Sequence, residues 1–176
     1  MSIEWLRYLA ELCIIKIIKT KINIGIAENN RKKVADELSK LLANEYVLFT
    51  KTKNAHWNVE GLDFYDKHQL FDNQANQLAS IIDSVAERIR TLGFAAPASL
   101  KAFLELTTLR ETVLDSNKST EFIKDLLSAH ETIILQLRSN ISLFADSYGD
   151  FGSSDFITGL LQEHEKTAWI LKTLLK

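Results

Sequence analysis

DFYDKHQLFDNQANQLASIIDSVAERIRTLG, Asp63 to Gly93, carries two patterns at once. Leu70, Phe71, Leu78, Ile81, Ile82, Val85, Ile89 and Leu92 recur at helical spacing and form one apolar stripe. With His68 at zero and about 100° per residue, Asp72 falls near 40°, Asp83 near 60° and Glu87 near 100°. The apolar set centres near 265° on the same wheel. One long helix thus buries one side and presents a histidine and three carboxylates on another. Ala75, Asn76, Ala79 and Ala86 lie within or beside that polar face. Gly93 can adopt the left-handed conformation that ends a helix.

The flanking sequence repeats the helical period. Val34, Leu38, Leu41, Leu42, Leu48 and Phe49 predict a first helix from Asn30 to about Asn58, with Asn29 or Asn30 as its cap. Gly61 breaks the pattern before the second helix. Phe94 to Ser119 reads as a long connection with a short helix around Leu100 to Leu104. A third helix begins after Ser119 or Thr120, capped by Thr120 or its neighbours, with Phe122, Ile123, Leu126, Leu127, Ile133, Ile134, Leu137 and Ile141 as its stripe. Ser153 or Ser154 then caps a fourth helix running from Asp155 to the C-terminus. Four long amphipathic helices with one long crossover between the second and third predict an all-α, ferritin-like four-helix bundle over residues 22–176.

Residues 1–21 stand apart. Ile3, Leu6, Ala10, Cys13, Ile14 and Ile17 have helical spacing, whereas Glu11 and Lys16 interrupt any apolar run of the roughly 18–20 residues that crosses a bilayer. The expectation is an amphipathic helical extension packed on the protein or on a partner, with a helix lying on a membrane surface as the alternative. The segment lacks the basic start and small-residue cleavage site of a signal peptide. Cys13 is the single cysteine, which excludes an internal disulfide and makes a reducing cytoplasm the default location.

At 176 residues the chain makes one main domain, and folding hides roughly 70% of the unfolded surface at this size. A formal charge of −2 and no basic run longer than Arg31–Lys33 argue against a surface that tracks nucleic-acid phosphates.

The polar face of the second helix has the residue types of a metal site. Asp72 and Asp83 are eleven residues apart, roughly 16 Å along the axis, too far to share one ion. His68 with Asp72, and Asp83 with Glu87, are instead two i,i+4 pairs, each able to reach its own metal. A second copy docked antiparallel about an axis near Gln77 would place one pair beside the other, creating two equivalent shared sites. Imidazole with carboxylate suits Fe(II), Mn(II) or Zn(II). The competing reading is a solvated polar face. His56 continues the apolar stripe of the first helix and, taken alone, reads as a buried, hydrogen-bonded histidine ahead of a metal ligand. Trp57 reads as a packing aromatic, His130 as core or interface, His164 as surface or inter-subunit, and Trp169 as packed.

KTKNAHWNVEGLDFYDKHQLFD, followed by IIDSVAERIRTLG, resembles the Dps family of bacterial and archaeal mini-ferritins, as does GDFGSSDFITGLLQEHEKTAW later in the chain. The resemblance spans about Ile22 to Lys176. It implies a hollow twelve-subunit shell with ferroxidase centres at dimer interfaces. His56, His68 and Asp72 would come from one subunit, and Asp83 and Glu87 from its two-fold mate. The family oxidises Fe(II), usually with hydrogen peroxide, and stores ferric oxide inside the shell, which protects against oxidative damage. Trp57 beside a ligand would intercept stray one-electron oxidants. Asp150 and Asp155 match acids lining the family's pores, although a turn and cap role fits them equally, and Gly159 stands where another carboxylate is common.

Many family members also bind DNA through lysine-rich tails. Here the extension is apolar, and the last helix ends at Lys172 and Lys176 without such a tail, so DNA binding is expected to be weak or absent. A DNA-binding protein with secondary iron oxidation is one alternative, and a metal-free helical adaptor is another. A site of the kind found inside larger ferritin bundles needs Glu-x-x-His pairs, and the chain contains none.

Overall fold

The computed structural model describes residues 22–111 and 113–176. The expected extension over residues 1–21, with Cys13, lies outside them. Five α-helices follow in order: α1 Glu28–Asn58, α2 Phe64–Thr91, α3 Leu100–Leu106, α4 Ser119–Ser142 and α5 Phe151–Thr173. A π-helical turn, Leu143–Ser147, continues α4. The four-helix bundle and the short crossover helix are as expected.

Contacts at the two ends set the topology. At one end, Glu60 N–H donates to Asn117 O at 2.9 Å and Ser119 Oγ donates to Asp63 at 2.7 Å. At the other, Asn30 Nδ2 donates to Tyr148 O at 3.2 Å and Arg88 pairs with Asp150 at 3.2 Å. The crossover therefore runs the length of the bundle, making α2 and α4 parallel. The order is up, down, down, up. Helix α3 is pinned to α1 by stacking of the Phe103 and Tyr46 rings, 4.4 Å apart.

The stripes read from the sequence meet in one core. Leu38, Leu41, Leu42, Leu48, Phe71, Val85, Ile89, Ile123, Leu126, Ile133 and Leu137 are buried in it. Each such side chain contributes about 1.5–3 kcal/mol relative to exposure.

Helix starts differ from the sequence expectation. Helix α1 begins at Glu28 after Ala27, without a side-chain cap, because Asn30 turns its amide to Tyr148 instead. Helix α4 begins at Ser119 after Lys118; Ser119 is spent on Asp63, and no side chain caps the helix. Helix α5 starts four residues earlier than Asp155, at Phe151. Its cap is Asp150, whose carboxylate accepts from Ser153 N–H at 2.8 Å and Ser153 Oγ at 2.6 Å. Gly149, at φ 67°, makes the tight turn that presents Asp150. At the end of α2, Gly93 has φ 95°. A Cβ there would meet the tip of the Ile22 side chain at 2.7 Å, which can shift, so it is the positive φ that calls for glycine.

Candidate metal centre

The C-terminal turn of α1 and the first turns of α2 bring His56, His68 and Asp72 together. The rings of His56 and His68 stack with centroids 3.9 Å apart. His56 Nδ1 lies 2.9 Å from His68 O, and His68 Nδ1 lies 2.8 Å from His56 O. A carbonyl only accepts, so each Nδ1 carries its proton and donates. In the neutral form of each ring, Nε2 then holds the lone pair, the form that ligates metal. His56 Nε2 is 3.6 Å from Asp72 Oδ1. Phe64 covers His68 on another side, at 5.1 Å between ring centroids.

Lys53 is the residue the sequence reading missed. Its ammonium is 3.3 Å from Asp72 Oδ1 and 5.9 Å from the centre of the Trp57 ring. The hydrogen bond from Lys53 holds the Asp72 carboxyl below the usual carboxylate range, opposed by desolvation and helped by charge on His56. The signal was present in sequence: Lys53 stands three and four residues before His56 and Trp57, on the same helical face.

Asp83 and Glu87 lie farther along α2, both exposed. Neither forms an ion pair or hydrogen bond through its side chain among the described residues, and no group of three or more His, Cys, Asp or Glu there is arranged to enclose an ion. One chain presents two separated groups of ligand-type side chains. Trp57, Leu62, Phe64 and Tyr65 are exposed apolar residues around the histidine group.

Other sequence expectations divide. His130 is buried, as expected. His164 is also buried, at 1% exposure, and not at the surface, because α5 turns it toward Glu45 in the core. Trp169 is 66% exposed within the single chain instead of packed in it. Asp150 is buried and committed to Ser153 and Arg88, whereas Asp155 is exposed on the first turns of α5. No helix among the described residues is long and apolar enough to cross a membrane.

An up-down-down-up bundle with a full-length crossover defines the ferritin-like class, and the family described as "Ferritin-like domain" matches residues 35–176. A low temperature-induced protein of Nostoc is 39% identical over 156 residues, covering 89% of this chain and 87% of that one. DNA protection during starvation protein 2 of Bacillus anthracis is 31% identical, covering 82% and 97%. The crystal structure of Dps from Vibrio cholerae, described as a ferritin-like diiron-carboxylate protein, superposes with a TM-score of 0.83 at 30% identity, covering 88% and 96%. The chain belongs to the Dps family.

Proposed function

We propose that the protein oxidises Fe(II) at a centre completed by a second copy of itself and stores the ferric product inside a shell of twelve chains. The observation that carries this reading is the reciprocal lock of His56 and His68. It sets both imidazoles in the ligating tautomer beside Asp72. In this reading a second copy brings Asp83 and Glu87 to that half-set, and the exposed apolar residues around it become the subunit contact.

Iron is the substrate. Two Fe(II) ions each give one electron to a peroxide molecule; its O–O bond breaks, and with two protons it leaves as two waters. Because both electrons arrive together, no hydroxyl radical is released. The imidazoles hold Fe(II), while Asp72, Asp83 and Glu87 stabilise the harder Fe(III). Trp57 intercepts an oxidant that escapes this pairing. Lys53 occupies Asp72 until a cation displaces it. Asp155 serves as the acid at the iron entry pore, Asp150 being the cap that shapes its turn.

Protection of DNA, the role in the names of several relatives, follows in this reading from removal of iron and peroxide. With a net charge of −2, direct DNA binding is weak or absent. Anaerobic Fe(II) titration, then peroxide, with particle size measured in parallel, tests the whole reading. Saturable binding, ferric absorbance and a particle of about twelve chains are expected. A chain that binds no Fe(II), or never associates, overturns it.

A further inference from the structure

Glu45, Gln74, His130 and His164 come one from each of the four long helices and meet inside the bundle, at 0%, 6%, 2% and 1% exposure. Each interrupts an apolar stripe: Glu45 between Leu41 and Leu48, Gln74 between Phe71 and Leu78, His130 between Leu126 and Ile133, His164 between Leu161 and Leu171. Burying such groups is costly unless charge and hydrogen bonds are matched. His130 Nδ1 and His164 Nδ1 are 2.9 Å apart, so one carries the shared proton and the other accepts. On its opposite edge His164 places Nε2 2.9 Å from Glu45 Oε1. That contact lies off the hydrogen-bonding direction, since neither atom has an aligned partner, and becomes an ion pair when His164 is doubly protonated.

The cluster is not sealed from the outer face of α2. A cavity of about 10 Å³ borders Gln74, His130 and His164 and reaches Gln77 and Glu163, enough for about one water. Gln77 donates to Glu163 at 2.6 Å, at the midpoint of the face that would meet a second copy. The charged and titratable groups turned toward the cluster are Glu45 from α1, His130 from α4, and Glu163 and His164 from α5. Helix α2 contributes only the uncharged Gln74 and Gln77.

We propose that Glu45, His164 and His130 form a proton-sensing relay that ties the charge inside the bundle to the docking of a second copy along α2. The coupling rests on the shared-centre reading. In this relay His164 is, at neutral pH, an imidazolium that donates Nδ1–H to neutral His130. Burial alone would lower His164, but Glu45 and Glu163 outweigh it and hold its proton above the usual imidazole range. Burial, then the charge on His164, push His130 well below that range. The folded chain therefore refuses a proton that the unfolded or opened chain accepts at His130. Stability from this neutral imidazole is complete above the ordinary histidine range and is lost as pH falls below it. A second proton abolishes the acceptor between the two rings and sets two cations side by side. The bundle can take it up only by parting at Gln74 and the cavity, which displaces the helix that carries the docking face.

The test is sedimentation of the full chain from about pH 7.5 to 4.5, beside the variant His130→Asn, with ¹⁵N imidazole spectra of both. Asparagine can still accept from His164 but cannot take a proton. In the wild type, spectra are expected to show His164 doubly protonated and His130 neutral at neutral pH. Its dimer dissociation constant should rise up to about a hundredfold per unit fall in pH, since each of the two separating chains takes up one proton at its His130, a dependence weaker by two protons in His130→Asn. Equal acid sensitivity in the two proteins overturns the relay, as does finding both imidazoles neutral at pH 7. If His130→Asn does not fold, the wild type decides: protonation of His130 must coincide with dissociation, and any separation of the two overturns the proposal. A chain that stays monomeric throughout while the imidazoles titrate as described defeats the shared centre and its coupling, yet leaves the His130–His164 charge assignment standing.

Discussion

His56 and His68 are twelve residues apart, on different helices, and each donates its Nδ1–H to the main-chain carbonyl of the other. The acceptor in both cases is backbone, so replacing one ring leaves the other's hydrogen bond in place. His56→Ala and His68→Ala are therefore expected to remove one ligand each without changing the tautomer of the survivor. Each variant should weaken Fe(II) binding by about 10- to 100-fold. Anaerobic titration checks this, and a variant that binds like the wild type excludes that histidine from the centre.

Lys53 opposes the arrival of a cation at Asp72, since its ammonium already neutralises that carboxylate. Lys53→Met is expected to tighten Fe(II) binding near neutral pH by about twofold to fivefold, the scale of a partly exposed ion pair. The gain disappears in acid. Lys53 holds Asp72 ionised to lower pH than usual, so the variant's advantage should shrink as pH falls and vanish where a proton on Asp72 has already displaced Lys53. Titration at neutral and mildly acidic pH checks this.

A centre shared by two chains makes a prediction that no intrachain centre can meet. Asp83→Ala with Glu87→Ala in one chain, and His68→Ala in another, should each be inactive alone. Random subunit exchange makes half of the dimers mixed, and each mixed dimer regains one of two sites. About one quarter of wild-type activity is then expected. No recovery after verified exchange argues for ligands held within one chain.

Asp150 and Asp155 are close in sequence but occupy different environments. Asp150→Ala removes a cap and strands Arg88, and should cost about 2 kcal/mol in denaturant unfolding. Asp155→Asn should leave unfolding unchanged within about 0.5 kcal/mol while slowing iron uptake into the assembled particle. Equal uptake rates would remove Asp155 from the entry route.

Ser119 donates to Asp63 across the bundle end and, with smaller help from Asp63's own backbone and Lys67, holds that carboxyl below its usual range. A lowered carboxylate stabilises the fold above its ordinary pKa, and the contribution is lost as pH falls through the folded value. Ser119→Ala should cost about 0.5 kcal/mol at neutral pH, the pair being partly exposed. The difference from wild type should vanish in strong acid, as unfolding midpoints at the two pH values would reveal.

Helical periodicity alone determined the four long helices, the crossover and the outward direction of His68, Asp72, Asp83 and Glu87, because a 3.6-residue repeat maps sequence position directly onto helix face. Spacing likewise separated Asp72 from Asp83 beyond the reach of one ion. Only the tertiary structure decided which groups meet across helices. It brought the His56 ring onto His68, set Lys53 on Asp72, spent Ser119 on Asp63 and made Asp150 the cap. It also turned His164 inward to join His130, Glu45 and Gln74. A polar residue on an apolar stripe reveals that it will be buried, but not which partner satisfies it. That choice depends on the axial register and rotation of neighbouring helices, which are fixed jointly by packing the whole core and by no single segment.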